Sequence, residues 1–380
     1  MKRSRRLLLL IVLSLYGLGA VSAVDTWVRT FEGADYGAFF GITLTDDGHA
    51  VAVGTTNHLH VPPYSGNVLL MKLTLDGDVA WERAWGGSGY EQARSIAQVA
   101  DGGFLVFGET DSLGAGDRDF FLLKIAADGS EEWVEVYGGP RREWPYGMLP
   151  LAGGDFLLYG FTTAESEARR QYAVRVTPGG ALVWEYVAGD ADEELILDAL
   201  QTASGEIVLC LSIDEDGGLV KLNEDGEVQW THRYELAGWQ FPCEIAPAND
   251  GFLLAGFSMS ETPSRQADTW LVRCSASGQL QWETAFGDPT RDDYAQELLR
   301  LDDGTYLIGR LGNGMPLSRV DQDGNVLWSR LLAGPRVHAV EGLAALDDGG
   351  FLVAGFVQIT NGRSYDPIVL RTDADGQIDR

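Results

Sequence analysis

Cysteine is scarce in this sequence, whose 380 residues include three, at Cys210, Cys243 and Cys274. This number is too small, and odd, for the disulfide framework that holds small secreted domains together. The cysteines also lack the paired spacing of a metal site. Each lies in a predicted apolar strand, so we expect small buried side chains. One disulfide with one free thiol is the alternative.

Positively charged residues are also few. Lys and Arg number 28 against 56 Asp and Glu, which gives a formal net charge of −28 at pH 7. Nucleic acids and anionic membranes are bound through basic patches, so we expect no nucleic-acid partner. The composition instead favours solubility and the binding of cations or basic partners.

Long apolar runs are absent after the N-terminus. Four basic residues within the first six positions precede an apolar run at 7–20 and a small-residue site that ends at Ala23. This arrangement is typical of a signal peptide at 1–23, and the run is short for a membrane span. The pair Arg5-Arg6 leaves twin-arginine export open beside Sec export, which the long continuous run favours. We therefore predict a secreted or periplasmic protein without membrane insertion.

Catalytic signatures are missing as well. The sequence contains no Gly-x-Ser-x-Gly, no His-Glu-x-x-His and no Walker loop. The acid pairs Asp292-Asp293 and Asp302-Asp303 have the residue type needed for glycoside hydrolysis, which requires two carboxylates at a set separation. Adjacent acids in strand-end loops are more often solvated charge, so we assign no catalytic residue.

Tryptophan, by contrast, recurs at intervals of 46 to 54 residues. Four positions before each of the last six recurring tryptophans stands a Gly, which predicts a tight hairpin turn. A second turn signal precedes each short apolar segment, such as Phe-Leu-Val-Phe-Gly at 104–108, and these segments indicate strands buried on both faces. The recurring tryptophans are Trp27, Trp81, Trp133, Trp184, Trp230, Trp282 and Trp328.

Repeats of about 50 residues, each with four predicted strands, are typical of stacked sheets. The last repeat stops at Arg380, before its Trp strand, and the N-terminus carries an unpaired strand of that kind at 25–33. Joining the two ends removes the open sheet edges. We predict an all-β fold, a seven-bladed β-propeller of four-stranded blades in a single domain at 24–380, closed by the N-terminal strand completing the C-terminal blade.

The second repeat carries a family resemblance. It reads DGGF at 101–104, SLGAGDRD at 112–119, Lys124, and WVEVYGG at 133–139. These motifs resemble the secreted bacterial and archaeal β-propeller repeat family, with units of Asp-Gly-Gly, Lys, Asp-x-x-Gly and Trp-x-x-x-x-Gly-Gly. The chain is more distantly similar to quinoprotein-like propellers, whose blades also dock through a Gly-to-Trp motif. The resemblance implies the fold and an exported location over 25–380, and it implies no particular activity.

One basic residue recurs nine positions before every Trp position. A charged group in an apolar strand needs an acid or backbone carbonyls as its partner, so we predict ion pairing between blades. A ring of ligand-binding cations is the alternative. These residues are Lys72, Lys124, Arg175, Lys221, Arg273, Arg319 and Arg371.

The longer connections of such a fold share one face, where binding loops are expected. Five connections between second and third strands are long, and two, near 212–217 and 310–315, are short, which predicts an asymmetric rim. Residues of the inter-blade connections form either an aromatic platform with acids, suited to sugars or cations, or wedges between blades. The candidates for ligand binding at the channel mouth are Tyr36, Tyr90, Arg142, Trp144, Trp239, Asp292 and Tyr294.

Metal binding is a minor prediction. Asp111, Asp117 and Asp119 lie in a Gly-rich loop and offer the oxygen ligands that Ca²⁺ prefers, although the same residues can serve the turn alone. His58 and His60 have no evident third ligand for Zn²⁺. Apart from Ca²⁺, the sequence predicts no cofactor.

The leading hypothesis is a non-enzymatic, monomeric, exported propeller that acts as a binding scaffold. It would bind a partner protein or a glycan through the face of the long loops. The rival hypothesis is an extracellular polysaccharide hydrolase or lyase with carboxylates at the channel mouth.

Overall fold

The structure is a computed structural model. It describes residues 25–31, 37–56, 66–214, 216–234, 239–259, 267–288, 292–312, 314–334, 337–358 and 365–378, and the side chains of all these except 239, 240, 337 and 338. The predicted signal peptide and the residues Tyr36, His58 and His60 lie outside this part. Every regular element within it is a β-strand, and none of its segments forms a helix that could cross a membrane.

The described part contains 28 strands. The first half comprises β1 (Trp27–Thr30), β2 (Gly37–Leu44), β3 (His49–Thr56), β4 (Asn67–Thr74), β5 (Val79–Trp85), β6 (Glu91–Gln98), β7 (Phe104–Thr110), β8 (Asp119–Ile125), β9 (Glu131–Tyr137), β10 (Glu143–Pro150), β11 (Phe156–Thr163), β12 (Arg169–Val176), β13 (Leu182–Ala188) and β14 (Glu194–Gln201). The second half comprises β15 (Ile207–Ile213), β16 (Asp216–Leu222), β17 (Val228–Tyr234), β18 (Trp239–Ala248), β19 (Gly251–Met259), β20 (Ala267–Ser275), β21 (Leu280–Phe286), β22 (Tyr294–Arg300), β23 (Tyr306–Leu311), β24 (Pro316–Val320), β25 (Val326–Leu331), β26 (Val337–Ala345), β27 (Phe351–Gln358) and β28 (Tyr365–Thr372).

Successive strands pair as antiparallel sheets of four. The sheets β2–β5, β6–β9, β10–β13, β14–β17 and β18–β21 are separate. The group β22–β25 and the group β26–β28 with β1 form one eight-stranded sheet, in which a single pairing of Leu311 with Ala339 joins the two groups. Strand β1 pairs with β28 from Trp27 opposite Arg371 to Thr30 opposite Ile368, so the N-terminal strand completes the C-terminal group as the sequence predicts.

The apolar composition of the inner strands determines where the core lies. All residues of β7 and β8 are buried, whereas the outermost strand β9 is largely exposed. Burial of both faces is the outcome expected for short continuous apolar segments. Side chains of adjacent sheets pack together, as Val51 and Val53 of β3 do with Phe104 and Phe121 of the next sheet. The core is therefore a series of layers between neighbouring sheets.

Each recurring tryptophan lies against the turn Gly of the following sheet. A Cβ atom added at Gly77 would lie 3.0 Å from the Trp27 ring, and the Trp27 indole donates to the Leu75 carbonyl at 2.9 Å. The Gly has positive φ at every one of these turns, as expected for hairpin glycines. The pairs are Trp27 with Gly77, Trp81 with Gly129, Trp133 with Gly180, Trp184 with Gly226, Trp230 with Gly278, Trp282 with Gly324 and Trp328 with Gly376.

The recurring basic residues all bind acids, as the sequence predicts, but the predicted location of those acids is wrong. Each acid belongs to the turn before the second strand of the same sheet, because that turn lies beside the third strand, which carries the basic residue. Arg175 and Arg371 reach the next sheet as well, through the carbonyls of Glu224 and Leu75 at 2.7 and 2.8 Å. The pairs are Lys72 with Asp47, Lys124 with Asp101, Arg175 with Asp155, Lys221 with Glu206, Arg273 with Asp250, Arg319 with Asp303, and Arg371 with Asp348.

The three cysteines are free thiols. Cys210 and Cys274 are fully buried in one apolar cluster, as expected of small buried side chains. Cys243 is half-buried, in β18. The alternative of one disulfide is therefore not realised in the structure.

Candidate binding site

The tight hairpins and the longer connections lie at opposite ends of the strands. In the first sheet the hairpin bonds from Gly48 to Thr45 and from Gly77 to Thr74 close the two turns at one end. The β3–β4 connection and the link from β5 to β6 are then at the other end. The connections β15–β16 and β23–β24 are short and the corresponding five are long, as the sequence predicts.

A cavity of about 710 Å³ opens on the face of the long connections, between the sheets β6–β9 and β10–β13. Two of the predicted ligand-binding residues, Arg142 and Trp144, line it together, and so does Asp117 of the predicted metal loop. We call it the arginine pocket. Its lining is Asp117, Pro140, Arg141, Arg142, Trp144, Tyr146, Phe161, Thr163, Glu167 and Arg169.

Two backbone hydrogen bonds hold the pocket walls in place, one between the two sheets and one between β11 and the residue before β10. The Glu143 amide donates to the Arg118 carbonyl at 2.7 Å, and the Thr163 amide donates to the Arg142 carbonyl at 2.9 Å. Arg142 thus lies where the incoming chain crosses from β9 to β10, fixed on both sides. Residues on a connection that is anchored in this way present their side chains in a defined geometry.

The aromatic rings of the pocket carry guanidinium groups on their faces. Arg142 lies 4.5 Å from the centre of the Trp144 ring, with Arg118 at 5.7 Å from the same ring, and Arg169 lies 5.2 Å from the centre of the Phe161 ring. The Trp144 and Phe161 rings are nearly parallel, 9° apart with their centres 6.4 Å apart. Cation–π contacts of this kind hold arginine side chains in place without neutralising their charge.

The arginines differ in their acid partners. Arg169 pairs with Glu193, and Arg141 pairs with Glu167 at 3.6 Å. Arg142 forms no ion pair with the described residues, and its buried Nε atom has no hydrogen-bond partner among them. The arginine pocket is therefore a positively charged site in an acidic protein.

The other predicted ligand-binding residues are distributed over several sheets. Tyr90 lies beside the pocket. The Arg118 guanidinium, which lies over the Trp144 ring, is also 4.6 Å from the centre of the Tyr90 ring. Asp292 is exposed and accepts a hydrogen bond from the Ala267 amide at 2.9 Å, and Tyr294 packs edge-on against Phe257. Trp239 begins β18, and its side chain, like the whole of Tyr36, lies outside the described residues.

The aspartates of the predicted Ca²⁺ loop point to different partners. Asp111 accepts a hydrogen bond from the Tyr90 amide. One carboxylate oxygen of Asp119 accepts from the amides of Ala115 and Gly116, both at 3.1 Å. In the part of the chain that the structure describes, no three His, Cys, Asp or Glu side chains come together as a metal-binding group.

Behind this loop, Asp119 forms a buried acid pair with Glu143. Both carboxyls lie beneath Gly138, and Thr162 donates to Glu143 at 2.6 Å. Burial, together with the nearby charge of Asp119, raises the pKa of Glu143 to about 7, against the opposing effect of the Thr162 hydrogen bond. With a pKa near 7, Glu143 keeps part of its proton at neutral pH.

Solved structures of known proteins share this fold. No family model and no curated protein matches the chain. The Neurospora crassa Pan2 WD40 domain has 11% identity and a TM-score of 0.57, over 90% of this chain and 93% of that one. YCF48 bound to D1 peptide has 12% identity and a TM-score of 0.55, over 94% and 97%. BBS1N in complex with ARL6DN has 10% identity and a TM-score of 0.55, over 93% and 97%.

The chain is a β-propeller. Together with four-stranded antiparallel sheets and Trp-to-Gly contacts between neighbours, the likeness to a WD40 domain decides this point. Sequence identities this low show a shared fold alone, so the function has to be argued from the candidate site.

The propeller also has a central cavity of about 200 Å³, whose acidic lining the sequence did not predict. The first strand of every four-stranded group contributes to its wall. Four carboxyls enter it, and Arg94 is the cation among its described lining residues. The four acids are Asp198, Glu244, Glu297 and Glu341.

β-Bulges aim side chains into this cavity. The first strand of each four-stranded group has a shift in its pairing with the second strand, as between Ala93 and Ser95 in β6. The unpaired residue of the bulge is Glu341 in β26, whereas Asp198, Glu244 and Glu297 each directly follow the unpaired residue of their strand. The sequence signal that was missed is an acid inside an otherwise apolar first strand, as in Leu-Ile-Leu-Asp-Ala-Leu at 195–200.

The cavity acids hold protons more tightly than usual. Burial raises the pKa of Glu297 to about 8, with the charges of Glu341 and Asp198 adding to the effect, and burial raises the pKa of Glu341 to about 7. The pKa of Glu244 rises well above its usual value, mainly through burial and then through Asp198. Asp198 itself accepts from the Tyr159 hydroxyl at 2.7 Å. Such a cluster is partly protonated at neutral pH.

Proposed function

We propose that this protein is an exported, seven-bladed β-propeller that binds a partner protein through the face of the arginine pocket. The blade number follows from grouping the 28 strands in fours, with β1 as the outer strand of the last blade. Export is inferred from the N-terminal sequence at 1–23.

The observation that carries the proposal is the arginine pocket itself. At about 710 Å³ it is larger than the central cavity of about 200 Å³ and within the range of ligand sites. It lies on the face of the variable connections, and it contains the predicted residues Arg142 and Trp144. Two of the similar propellers were solved with a partner, a D1 peptide for YCF48 and ARL6DN for BBS1N, which supports the use of this fold as a scaffold.

A polysaccharide hydrolase or lyase is the second candidate, because the carboxyls of the central cavity have the raised pKa values that general acids need. The size of the cavity argues against it. At about 200 Å³ it is smaller than ordinary ligand sites, and a polymer needs a groove. The double variant E244Q/E297Q would abolish turnover of a polysaccharide panel if this candidate is right.

The scaffold function is tested by comparing the two faces. A thermal-shift screen of the purified protein against peptide and glycan panels with and without divalent cations identifies a ligand, since a ligand of the folded state raises the melting temperature. Binding should then be weakened at least tenfold by R142E on the pocket face. D76K, in an exposed turn of the opposite face, serves as the charge-reversal control. Loss of binding in D76K alone would contradict the proposal.

A further inference from the structure

We propose that the arginine pocket binds the carboxylate side chains of an acidic peptide segment in the partner protein. This inference rests on the proposed scaffold function and specifies the chemistry of its ligand. It depends on three observations: the charge of the pocket, the use of its aromatic faces, and the position of Glu167.

The pocket concentrates arginines in an acidic protein. Arg141, Arg142 and Arg169 line it with two acids, Asp117 and Glu167, whereas the whole chain has a formal net charge of −28. Glu167 pairs with Arg141 and Glu193 pairs with Arg169, so Arg142 is the arginine of the lining without an ion pair to the described residues. An anionic segment is attracted to this cation and repelled from the rest of the surface.

Arg142 is the group most available to a ligand. It forms no ion pair with the described residues, and Trp144 supports its guanidinium plane at 4.5 Å. Its Nε atom is buried, so a ligand would meet its terminal nitrogens. A guanidinium group offers two parallel N–H donors to a carboxylate, and a preorganised one loses less entropy on binding. Arg142 is therefore expected to contribute most of the affinity.

The aromatic faces decide between a peptide and a sugar. Sugar sites stack a pyranose ring on an open aromatic face, but guanidinium groups already lie over Trp144 and Phe161. A carboxylate needs no free ring face, because it binds the edge of the guanidinium. The arrangement favours an acidic peptide over an acidic polysaccharide.

Glu167 occupies the place of a ligand carboxylate. Its side chain is 81% exposed, and it reaches Arg141 at 3.6 Å, longer than a close ion pair. Its backbone has φ of 67°, a left-handed conformation that is unfavourable for a non-Gly residue. An incoming peptide carboxylate can displace so weak and exposed a contact, and removal of Glu167 should strengthen binding.

The test uses a fluorescein-labelled peptide of seven glutamates with an amidated C-terminus, titrated with the purified protein by fluorescence anisotropy. We expect saturable binding that weakens as salt rises, because exposed charges are screened. R142A should weaken it at least tenfold, and E167Q should strengthen it about threefold. A purely structural role of Glu167 would not give tighter binding.

The matched control variant is R83A. Arg83 also lies over a tryptophan, 5.7 Å from the centre of the Trp81 ring, but on the outer strand β5, away from the pocket. R83A removes one positive charge from an arginine–tryptophan stack, as R142A does, and the affinity for the glutamate peptide should be unchanged. A seven-glutamine peptide should not bind.

Three results would overturn the inference: equal binding of the glutamine peptide, no effect of R142A, or binding of tetragalacturonate in place of the glutamate peptide. Adding a free C-terminal carboxylate to the peptide shows whether a chain end binds better than side chains. If no acidic probe binds while the peptide and glycan screen still yields a ligand on this face, the carboxylate inference fails and the scaffold proposal stands.

Discussion

At the scale of single residues, the recurring ion pairs show how a charged group is accommodated in an apolar strand. The Lys72 side chain is 9% exposed, and its ammonium group lies 2.6 Å from Asp47 in the neighbouring turn. Hydrogen bonds from Lys72 and Thr45 hold the pKa of Asp47 at about 2. Breaking such a pair from the acid side leaves a buried cation without its partner, which costs more than removing both charges.

D47A should therefore lower the free energy of unfolding by about 1–3 kcal/mol. The double variant K72M/D47A should recover much of that loss, because no unpaired charge remains buried. Urea denaturation at pH 7 gives the free energies of unfolding of D47A, K72M and the double variant. The explanation is wrong if the double variant is as unstable as the sum of the two single variants.

The acid pair Asp119–Glu143 makes stability depend on pH. The folded pKa of Glu143 is about 7, above the value near 4.3 of an unfolded chain, so the folded state retains a proton that the unfolded state releases. The free energy of unfolding therefore falls as pH rises through this range, by at most about 1.4 kcal/mol per pH unit for one proton.

D119N should reduce this pH dependence and stabilise the protein at pH 8. At two other places a side-chain amide lies against the acid that begins the next sheet, as Glu143 begins β10. Asn67 lies beside Glu91 under Gly86, and Gln171 donates to Glu194 at 2.6 Å. The new amide would donate to the Glu143 carboxylate in the same way. Urea midpoints at pH 5 and pH 8 test this, and a variant that loses more stability at pH 8 than at pH 5 would refute it.

At the scale of the strand and turn, the Trp-to-Gly contact joins one sheet to the next. Two turn glycines of the sheet β6–β9 provide a matched comparison. Gly102 and Gly129 have nearly equal φ, 83° and 81°. A Cβ atom at Gly102 would meet nothing within 4 Å, but at Gly129 it would lie 3.1 Å from the Trp81 ring and 2.9 Å from Arg83.

G102A should cost about 1–2 kcal/mol through its backbone conformation alone. G129A should cost about 1–3 kcal/mol more, because the added methyl group also pushes the Trp81 ring away. Urea denaturation of the two variants gives the difference. Equal losses would show that the turn conformation matters and the ring contact does not.

These elements were predictable from the sequence because each has a local cause. A Gly at positive φ, a Trp at fixed spacing and an apolar strand are visible without knowledge of the neighbours. The location of the ion pairs was missed, since spacing along the chain does not reveal which turn lies beside which strand. The central carboxyls were missed for a related reason: Asp198 and Glu244 each follow the unpaired residue of a bulge, which shifts the alternation of the strand, and spacing along the chain does not reveal a bulge.

The candidate site was predicted only in part. Arg142 and Trp144, predicted to bind a ligand at the channel mouth, lie together in the arginine pocket, and their role in binding stays a prediction. The stacking of arginines on the aromatic rings, and hence the positive charge of the pocket, depends on contacts between two sheets. Phe161 and Arg169, which complete the pocket, come from β11 and β12 and carry no sequence signal of their own.

At the scale of the whole molecule, β1 joins the two ends of the chain. It covers the edge of β28 and places Trp27 on Gly77 of the sheet β2–β5. Removing residues 25–31 would expose a sheet edge and leave that turn uncovered. We expect a lower urea midpoint and self-association in gel filtration.

A synthetic peptide of residues 25–33, added in trans, should restore part of the midpoint. T30A, in which β1 remains paired through its backbone, is the control and should leave the midpoint nearly unchanged, since Thr30 is exposed. A truncated protein as stable and as monomeric as the intact one would show that β1 does not close the fold.

The pairing of β1 with β28 also has a consequence for biosynthesis. Trp27 and its partner Arg371 are 344 positions apart in the chain. Strand β1 has no partner until β28 has left the ribosome, and contacts of such long range form slowly. A nascent chain that has not yet reached β28 leaves both β1 and the edge of β27 unpaired.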